Sequence, residues 1–271
     1  MPAEMKARSQ ASFLMDSFGA VRSPSGGTGR LHGKDVGAGG WCFFKAFADQ
    51  VCSQTVPDFR VFAVLALVQV ARKRRVLAPA VVGVTDEHAE ALELLEARAA
   101  LRHVPAYAGV VDALGPFDCH VLDKFEGVIG GDMNFPRRYA DEFEMLALLA
   151  PLGLELLIVE GADSPTALAR YQRSRLHPRG ASLADALPLL RRGEVDLVFV
   201  RLDVPGFQHY ESVCFIDGTP WCLGDDARQR VEAWHAACDV CGACRRGRFS
   251  EARAMLLSIL EAEGAAGGAA L

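Results

Sequence analysis

Along this chain, stretches whose apolar residues return every three to four positions give way to stretches where they alternate or run unbroken. Phe43, Phe47 and Val51 recur at four-residue spacing and predict an amphipathic helix starting near Cys42. Pro57 and Asp58 suit a helix start, and Phe59, Phe62, Leu65 and Val68 carry a second helix to Arg75. A third is predicted from Asp86 to about Arg102, capped by Thr85, with Ala91, Leu92, Leu94, Leu95 and Ala99 at helical spacing. Pro105 to Asn134 keeps neither period for long and predicts a mixed segment. Asp141, Glu142 and Glu144 then lead an amphipathic helix through Phe143, Leu146, Ala147, Leu149 and Ala150 that stops at Pro151 and Gly153.

Strand signals concentrate in the second half. Leu154 to Val159 and Asp196 to Leu202 read as buried strands, and His209 to Ile216 as a third. Asp217 and Gly218 are suited to a tight turn that returns the chain through Trp221. Gly161 to Gly193 is a polar connection with Arg170, Arg173, Arg175, Pro178 and Gly180, in which Ser182 caps a short helix limited by Pro188. Strands joined by hairpins and preceded by helices imply an α+β fold with a small, mostly antiparallel sheet.

The ends are simpler. A short helix is predicted near Ala11 to Phe18, and the Ser, Pro and Gly residues between Arg22 and Lys34 make residues 1–30 a flexible arm. Residues 31–224 form the main domain. Residues 225–263 make a helical extension, with helices from about Asp225 to Ala237 and from Ser250 to Glu263, and residues 264–271 a disordered Gly/Ala tail.

Composition narrows the class. At 271 residues and 51% apolar content the chain can bury a sizeable core. A formal net charge of -5 offers no footprint for nucleic acid, and the basic run Arg72 to Arg75 reads as the solvated end of a helix. The longest apolar run, Val61 to Val68, is too short to span a bilayer, and the N-terminus lacks a secretory core. The expectation is a soluble, intracellular protein without membrane or nucleic-acid partners. Eight scattered cysteines point to free thiols in a reducing compartment.

The candidate chemistry starts at Cys42. Gly37, Gly39 and Gly40 lead through Trp41 into Cys42 at a helix start, where backbone N–H groups and the macrodipole favour a thiolate. Gly39, Gly40 and Trp41 are the candidate oxyanion loop, because a glycine-rich turn can aim N–H groups at a developing negative charge. A nucleophilic thiol needs a base. His209 opens an alternating apolar strand after the Pro205–Gly206 loop, and Glu211, two residues on, shares its face of an extended strand. The predicted site is therefore Cys42 as nucleophile, His209 as general base and Glu211 as the acid orienting the ring.

These segments resemble the ovarian-tumour (OTU) family of papain-like cysteine proteases. GGWCFFKAFADQ is similar to its nucleophile motif, YADEFEMLALLAPLGLELLIVEG to its following helix and strand, and DLVFVRLDVPGFQHYESVCF to its closing strand with histidine, in the same order. The match spans roughly Gly37 to Phe215. The resemblance implies a papain-like OTU fold and a deubiquitinase, cleaving isopeptide or peptide bonds after the C-terminal glycine of ubiquitin or a ubiquitin-like modifier without a cofactor. It carries the nucleophile onto Cys42, the base onto His209 and the third member onto Glu211. The family commonly has Asp where this chain has Gly39, so a catalytically weak ubiquitin-binding protein is the alternative.

His235, Cys238, Cys241 and Cys244 recur every three residues, a spacing that suits thiolate ligands of zinc. The downstream pair of a zinc motif is missing, and the spacing puts them near one helix face, as core cysteines would be. The expectation is no metal site, with a metal-stabilised interaction protein as the remaining alternative.

Overall fold

The computed structural model describes residues 3–51, 58–81, 87–134, 138–161, 168–171, 179–204 and 207–268. The expectations at Pro57, Thr85, Arg173, Arg175, Pro178, Pro205 and Gly206 fall outside these residues. In chain order the first elements are α1 (Ala3–Phe18), β1 (Val21–Arg22), β2 (Thr28–Gly29), β3 (Leu31–Lys34), α2 (Cys42–Val51), α3 (Phe59–Arg72), α4 (Arg74–Val81), α5 (Glu87–Arg102) and α6 (Pro116–Gly130). They are followed by α7 (Glu142–Leu152), β4 (Leu156–Glu160), β5 (Leu168–Tyr171), β6 (Arg179–Gly180), α8 (Leu183–Arg192), β7 (Leu197–Val204), β8 (Phe207–Phe215), α9 (Asp225–Ala236), α10 (Asp239–Arg245) and α11 (Phe249–Gly268). No helix of the described residues is long and apolar enough to cross a membrane.

The chain divides into two compact units: Met1–Phe62 with Leu148–Trp234, and Ala63–Ala147 with His235–Leu271. This differs from the expected single domain with a C-terminal extension, because His235–Leu271 groups with the 63–147 helices.

The first unit is α+β. Its six-stranded sheet has the order β3-β8-β7-β4-β5-β6, antiparallel except for the parallel β4–β7 pair. All of β4 is buried, so its residues read as a continuous apolar run rather than an alternation. Leu157, Val159, Val198, Val200, Leu202, Val213 and Phe215 pack in one cluster with Ala7, Ala11, Met15 and Phe18 of α1 and with Trp221. The four α1 residues recur at helical spacing, and that stripe is what docks the helix. The N-terminal segment is therefore part of the core rather than a flexible arm, with α1 spanning Ala3–Phe18 and β1 paired to β2. Small residues at Ala7 and Ala11 made its apolar stripe weak in sequence.

On the opposite side of the sheet α2 packs Phe43 edge-on against Phe199 and Tyr210, at centroid distances of 5.7 and 5.6 Å. Gln50, fully buried on α2, reaches the sheet where β7 and β8 part. Antiparallel pairing runs from Val204↔Phe207 to Val200↔Glu211, and β8 from Ser212 to Phe215 pairs with β3. The Gln50 side-chain amide donates to the Val198 carbonyl, its oxygen accepts the Val198 N–H at 3.0 Å, and it also meets Ser212 Oγ at 3.1 Å. A side chain thus completes the ladder that a strand leaves open. At the end of β8 the expected Asp217–Gly218 turn forms, with Gly218 at φ 85° and the Phe215 N–H bonded to Thr219 O at 2.8 Å; the return is a single bridge, Cys214↔Pro220.

The second unit is helical. The segment expected to be mixed holds two short 3-10 turns, Pro105–Tyr107 and Val111–Ala113, and then α6. The periodicity fails there because α6 is buried on nearly every side, charged residues included. Asp118 pairs with Arg74 at 3.1 Å, Asp123 with both ends of the Arg138 fork at 3.0 and 3.2 Å, and Glu126 with Arg253 at 2.8 Å and Tyr107 at 3.0 Å. Lys124, 1% exposed, sits between Asp141 at 2.6 Å and Glu144 at 2.5 Å. Each buried charge is compensated, as burial requires. Arg74 accordingly belongs to an internal pair instead of a solvated helix end, and α3 stops at Arg72 with α4 following. The C-terminal helix continues to Gly268, through part of the segment expected to be a disordered tail.

Among the described residues Cys42, Cys119, Cys214, Cys238, Cys241 and Cys244 are in no disulfide, whereas Cys222 is disulfide-bonded, which corrects the expectation of free thiols at that residue.

Replacing Gln50 with leucine should lower stability by about 2 to 6 kcal/mol, since it leaves the Val198 N–H and C=O unsatisfied at roughly 1 to 3 kcal/mol each. Urea denaturation followed by tryptophan fluorescence measures this. A loss within that of an ordinary surface substitution would remove Gln50 from the sheet's hydrogen bonding.

Candidate functional site

The site is built where α2 begins. Asp35, just past β3, accepts the Gly37 N–H at 2.8 Å and starts a loop in which Gly37 and Gly39 take φ of 87° and 106°. Side-chain-bearing residues adopt those angles only with strain, so the glycines are needed there for conformation. The Cys42 N–H donates to Gly39 O at 3.0 Å and the Lys45 N–H to Trp41 O at 2.9 Å, which seats the first turn of α2. Trp41 lies edge-on to Phe44 and Phe59, at 6.4 and 5.2 Å, and the Lys45 ammonium is 5.6 Å above the Phe59 ring.

Strand alternation divides β8 between two neighbours. Tyr210 lies edge-on to Phe43 and Ser212 meets Gln50, so the even-numbered positions face α2. Glu211 forms an ion pair with Arg8 of α1, and Val213 and Phe215 pack in the α1 core, so the odd-numbered positions face α1. His209 belongs to the second set: its Nε2 is 3.4 Å from Asp35 Oδ1 and 3.8 Å from Glu211 Oε1. Cys42 arrives from the α2 side and contacts the strand's backbone, where the Tyr210 N–H donates to Sγ at 3.4 Å.

The structure thus brings Cys42 to the backbone of the strand that carries His209 but from the other face, so the expected thiol and imidazole do not share a face, while His209 and Glu211 are gathered as the strand register predicts. It adds two groups that sequence reasoning passed over. Asp35 is closer to the ring than Glu211 is. Arg8 pairs with Glu211 and lies 3.6 Å from Asp35 and 3.2 Å from Glu4. Nothing in the spacing of Glu4 and Arg8 pointed to a site; only the docking of α1 turns Arg8 onto the sheet. Room for the Glu211 carboxylate comes from Gly33 on β3, where a Cβ would lie 2.7 Å from Glu211 Oε2.

Electrostatics depart from expectation at the thiol. Cys42 is 6% exposed, and burial pushes its thiol above the ordinary value, outweighing the Tyr210 N–H and the Lys45 charge. The helix start does not yield a standing thiolate. The Cys42 N–H is also engaged by Gly39 O, so it is not directed at an oxyanion here, and Gly39 contributes a carbonyl rather than a donor at this contact. The His209 ring is held below its ordinary value, first by burial and then by the Arg8 cation, with Asp35 opposing. The Gly37 N–H, followed by the His209 and Arg8 charges, lowers Asp35, while burial raises Glu211 against the pull of Arg8. The ring is therefore neutral at neutral pH and able to accept a proton.

Two groups of three or more ligand-type side chains converge among the described residues: Asp35, His209 and Glu211, and His120, Asp141 and Glu144. Each already contains a protein cation, Arg8 in the first and Lys124 in the second, which balances its carboxylates.

Nuclear magnetic resonance titration should place the His209 midpoint below 6.5, and Arg8→Gln should raise it by removing a repelling cation. The sign for stability follows. Below 6.5 the unfolded ring binds a proton that the folded ring refuses, so stability is lost as pH falls from there through the folded midpoint, and Arg8→Gln should shrink that loss. A midpoint unmoved by Arg8→Gln would separate Arg8 from the ring.

No family model, curated protein or solved structure matches the chain, so the reading of this site rests on its own geometry.

Proposed function

We propose that the first unit is a thiol-dependent hydrolase of the OTU-like, papain-like kind, acting as a deubiquitinase or a related deconjugating protease. The observation that carries the reading is the Tyr210 N–H bond to Cys42 Sγ, which seats a helix-initial thiol against the strand residue next to a neutral, carboxylate-flanked imidazole. Its substrates are conjugates of ubiquitin or a ubiquitin-like modifier, whose C-terminal glycine tail calls for a narrow cleft, a need that small residues such as Gly39 and Gly40 fit.

The raised thiol and the lowered imidazole set the chemistry. Cys42 rests as the thiol and His209 as the neutral base, so the proton moves only as attack begins. Nε2 faces the carboxylates on the α1 side while Sγ meets β8 from the α2 side, so transfer to the ring requires these side chains to rearrange when substrate binds. Sγ then bonds to the scissile carbonyl carbon, and collapse expels the lysine amine with the proton from His209. Water, deprotonated by the same ring, attacks the thioester and restores the thiol. Asp35 and Glu211 stabilise the transient imidazolium, and Arg8 fixes the Glu211 carboxylate.

The second reading is a modifier-binding protein with little turnover. It is favoured by the engaged Cys42 N–H and by the buried, protonated thiol.

A ubiquitin probe with a C-terminal electrophile separates the two. The expected outcome is an adduct on Cys42 that is absent from Cys42→Ala; binding without an adduct supports the second reading, and neither binding nor adduct rejects both. His209→Ala should lower turnover at least about 100-fold, the usual scale of general base catalysis, with the fold retained by circular dichroism. Turnover should have an acid limb below pH 6.5, where the ring takes up a proton. Glu211→Gln should cost less than His209→Ala, because Asp35 stays beside Nε2.

A further inference from the structure

The C-terminal cysteines contain a second arrangement, unrelated to Cys42. Cys238 precedes α10 in extended conformation, φ -85° and ψ 106°, and its Sγ accepts the Cys241 N–H at 3.4 Å. Side chains three residues apart at a helix start are neighbours on one face. Both residues are buried, Cys238 slightly less so, at 7% exposed against 1% for Cys241. They also differ in acidity. The hydrogen bond with Cys241 brings the Cys238 thiol down to about 7, while that same bond and burial push Cys241 up. Burial pushes Cys244, further along the helix, up to about 11. None of these cysteines belongs to a group of converging ligand atoms among the described residues, and the His235 ring lies 3.2 Å from the cationic Arg245 Nη1. Two hydrogen-bonded thiols, neither in a disulfide and one slightly less buried than the other, are the parts of a dithiol exchange centre.

We propose that Cys238 and Cys241 form a redox-active dithiol that exchanges with small external disulfides of the glutathione class, Cys238 attacking and Cys241 resolving. The Cys238 thiolate bonds to one sulfur of the external disulfide, whose other sulfur leaves as a thiolate and takes a proton from solvent. Cys241 then gives up its proton, bonds to the Cys238 sulfur and releases the second external thiol. Two electrons pass from the protein dithiol to the external disulfide, which ends as two thiols; an excess of external thiol drives the reverse.

Oxidised glutathione, added to the full-length protein at neutral pH and followed by alkylation and peptide mapping, tests this. The expected product of the wild type is a Cys238–Cys241 disulfide. Cys241→Ala should accumulate a glutathione adduct on Cys238, and Cys238→Ser should leave Cys241 unreacted. Serine can accept the same N–H as a helix cap, so Cys238→Ser keeps the local fold, which circular dichroism checks. Iodoacetamide should label wild-type Cys238 at least about tenfold faster than Cys244. The proposal is overturned if Cys238 stays reduced in the folded wild type, if it couples to Cys244 instead, or if Cys241→Ala leaves no adduct.

Discussion

The Gln50 amide is the interaction on which the first unit most depends. β7 and β8 separate after Val200↔Glu211, which would leave the Val198 N–H and C=O without a strand partner inside the core. Gln50 binds both groups and Ser212 as well, so it locks α2 onto the sheet at the point of divergence. Buried amides tolerate little displacement, because any shift leaves donors and acceptors unpaired where water cannot replace them. The same helix starts at Cys42, two turns before Gln50. The polar contact at one end thus helps to fix where the thiol meets β8 at the other.

The opposite face of β8 is governed by charge. Glu211, His209 and Asp35 gather within reach of one arginine from α1, and the apolar stripe of that helix brings the guanidinium to the sheet. Burial favours neutral forms of His209 and Glu211, and Arg8 restrains only the second of these tendencies. The outcome is a neutral imidazole beside carboxylates, a state suited to accepting a proton. The second unit handles burial in another way: α6 places Asp118, Asp123, Lys124 and Glu126 around its circumference and matches each with a partner of opposite charge or a hydroxyl.

The elements with a clean period were legible. The Phe43, Phe47 and Val51 stripe marked α2, the continuous apolar runs marked β4 and β7, and the alternation that starts at His209 marked β8. Ser182 caps α8 as expected, with its Oγ accepting the Asp185 N–H at 3.2 Å, but Pro188 does not limit the helix, which runs on through it to Arg192. The placement of His209 and Glu211 on one side of β8 was legible too, because a strand has only two sides. α6 was not, since its ion pairs put charges at positions where periodicity looks for apolar residues. The parallel β4–β7 pairing was not, since nothing in either segment names its neighbour.

The sequence by itself determined the local chemistry: a glycine-led thiol at a helix start, an imidazole and a carboxylate sharing a strand face, and a pair of cysteines three residues apart. Each follows from spacing along one element, where the periods of helix and strand dictate which side chains are neighbours. Tertiary structure alone decided the protonation states and the additional partners. Burial raised the Cys42 thiol against its helix-start setting, Arg8 and Asp35 joined His209 from segments far away in the chain, and Gln50 found its partner in Val198. Those outcomes depend on desolvation and on contacts between distant segments, and neither is encoded in local spacing.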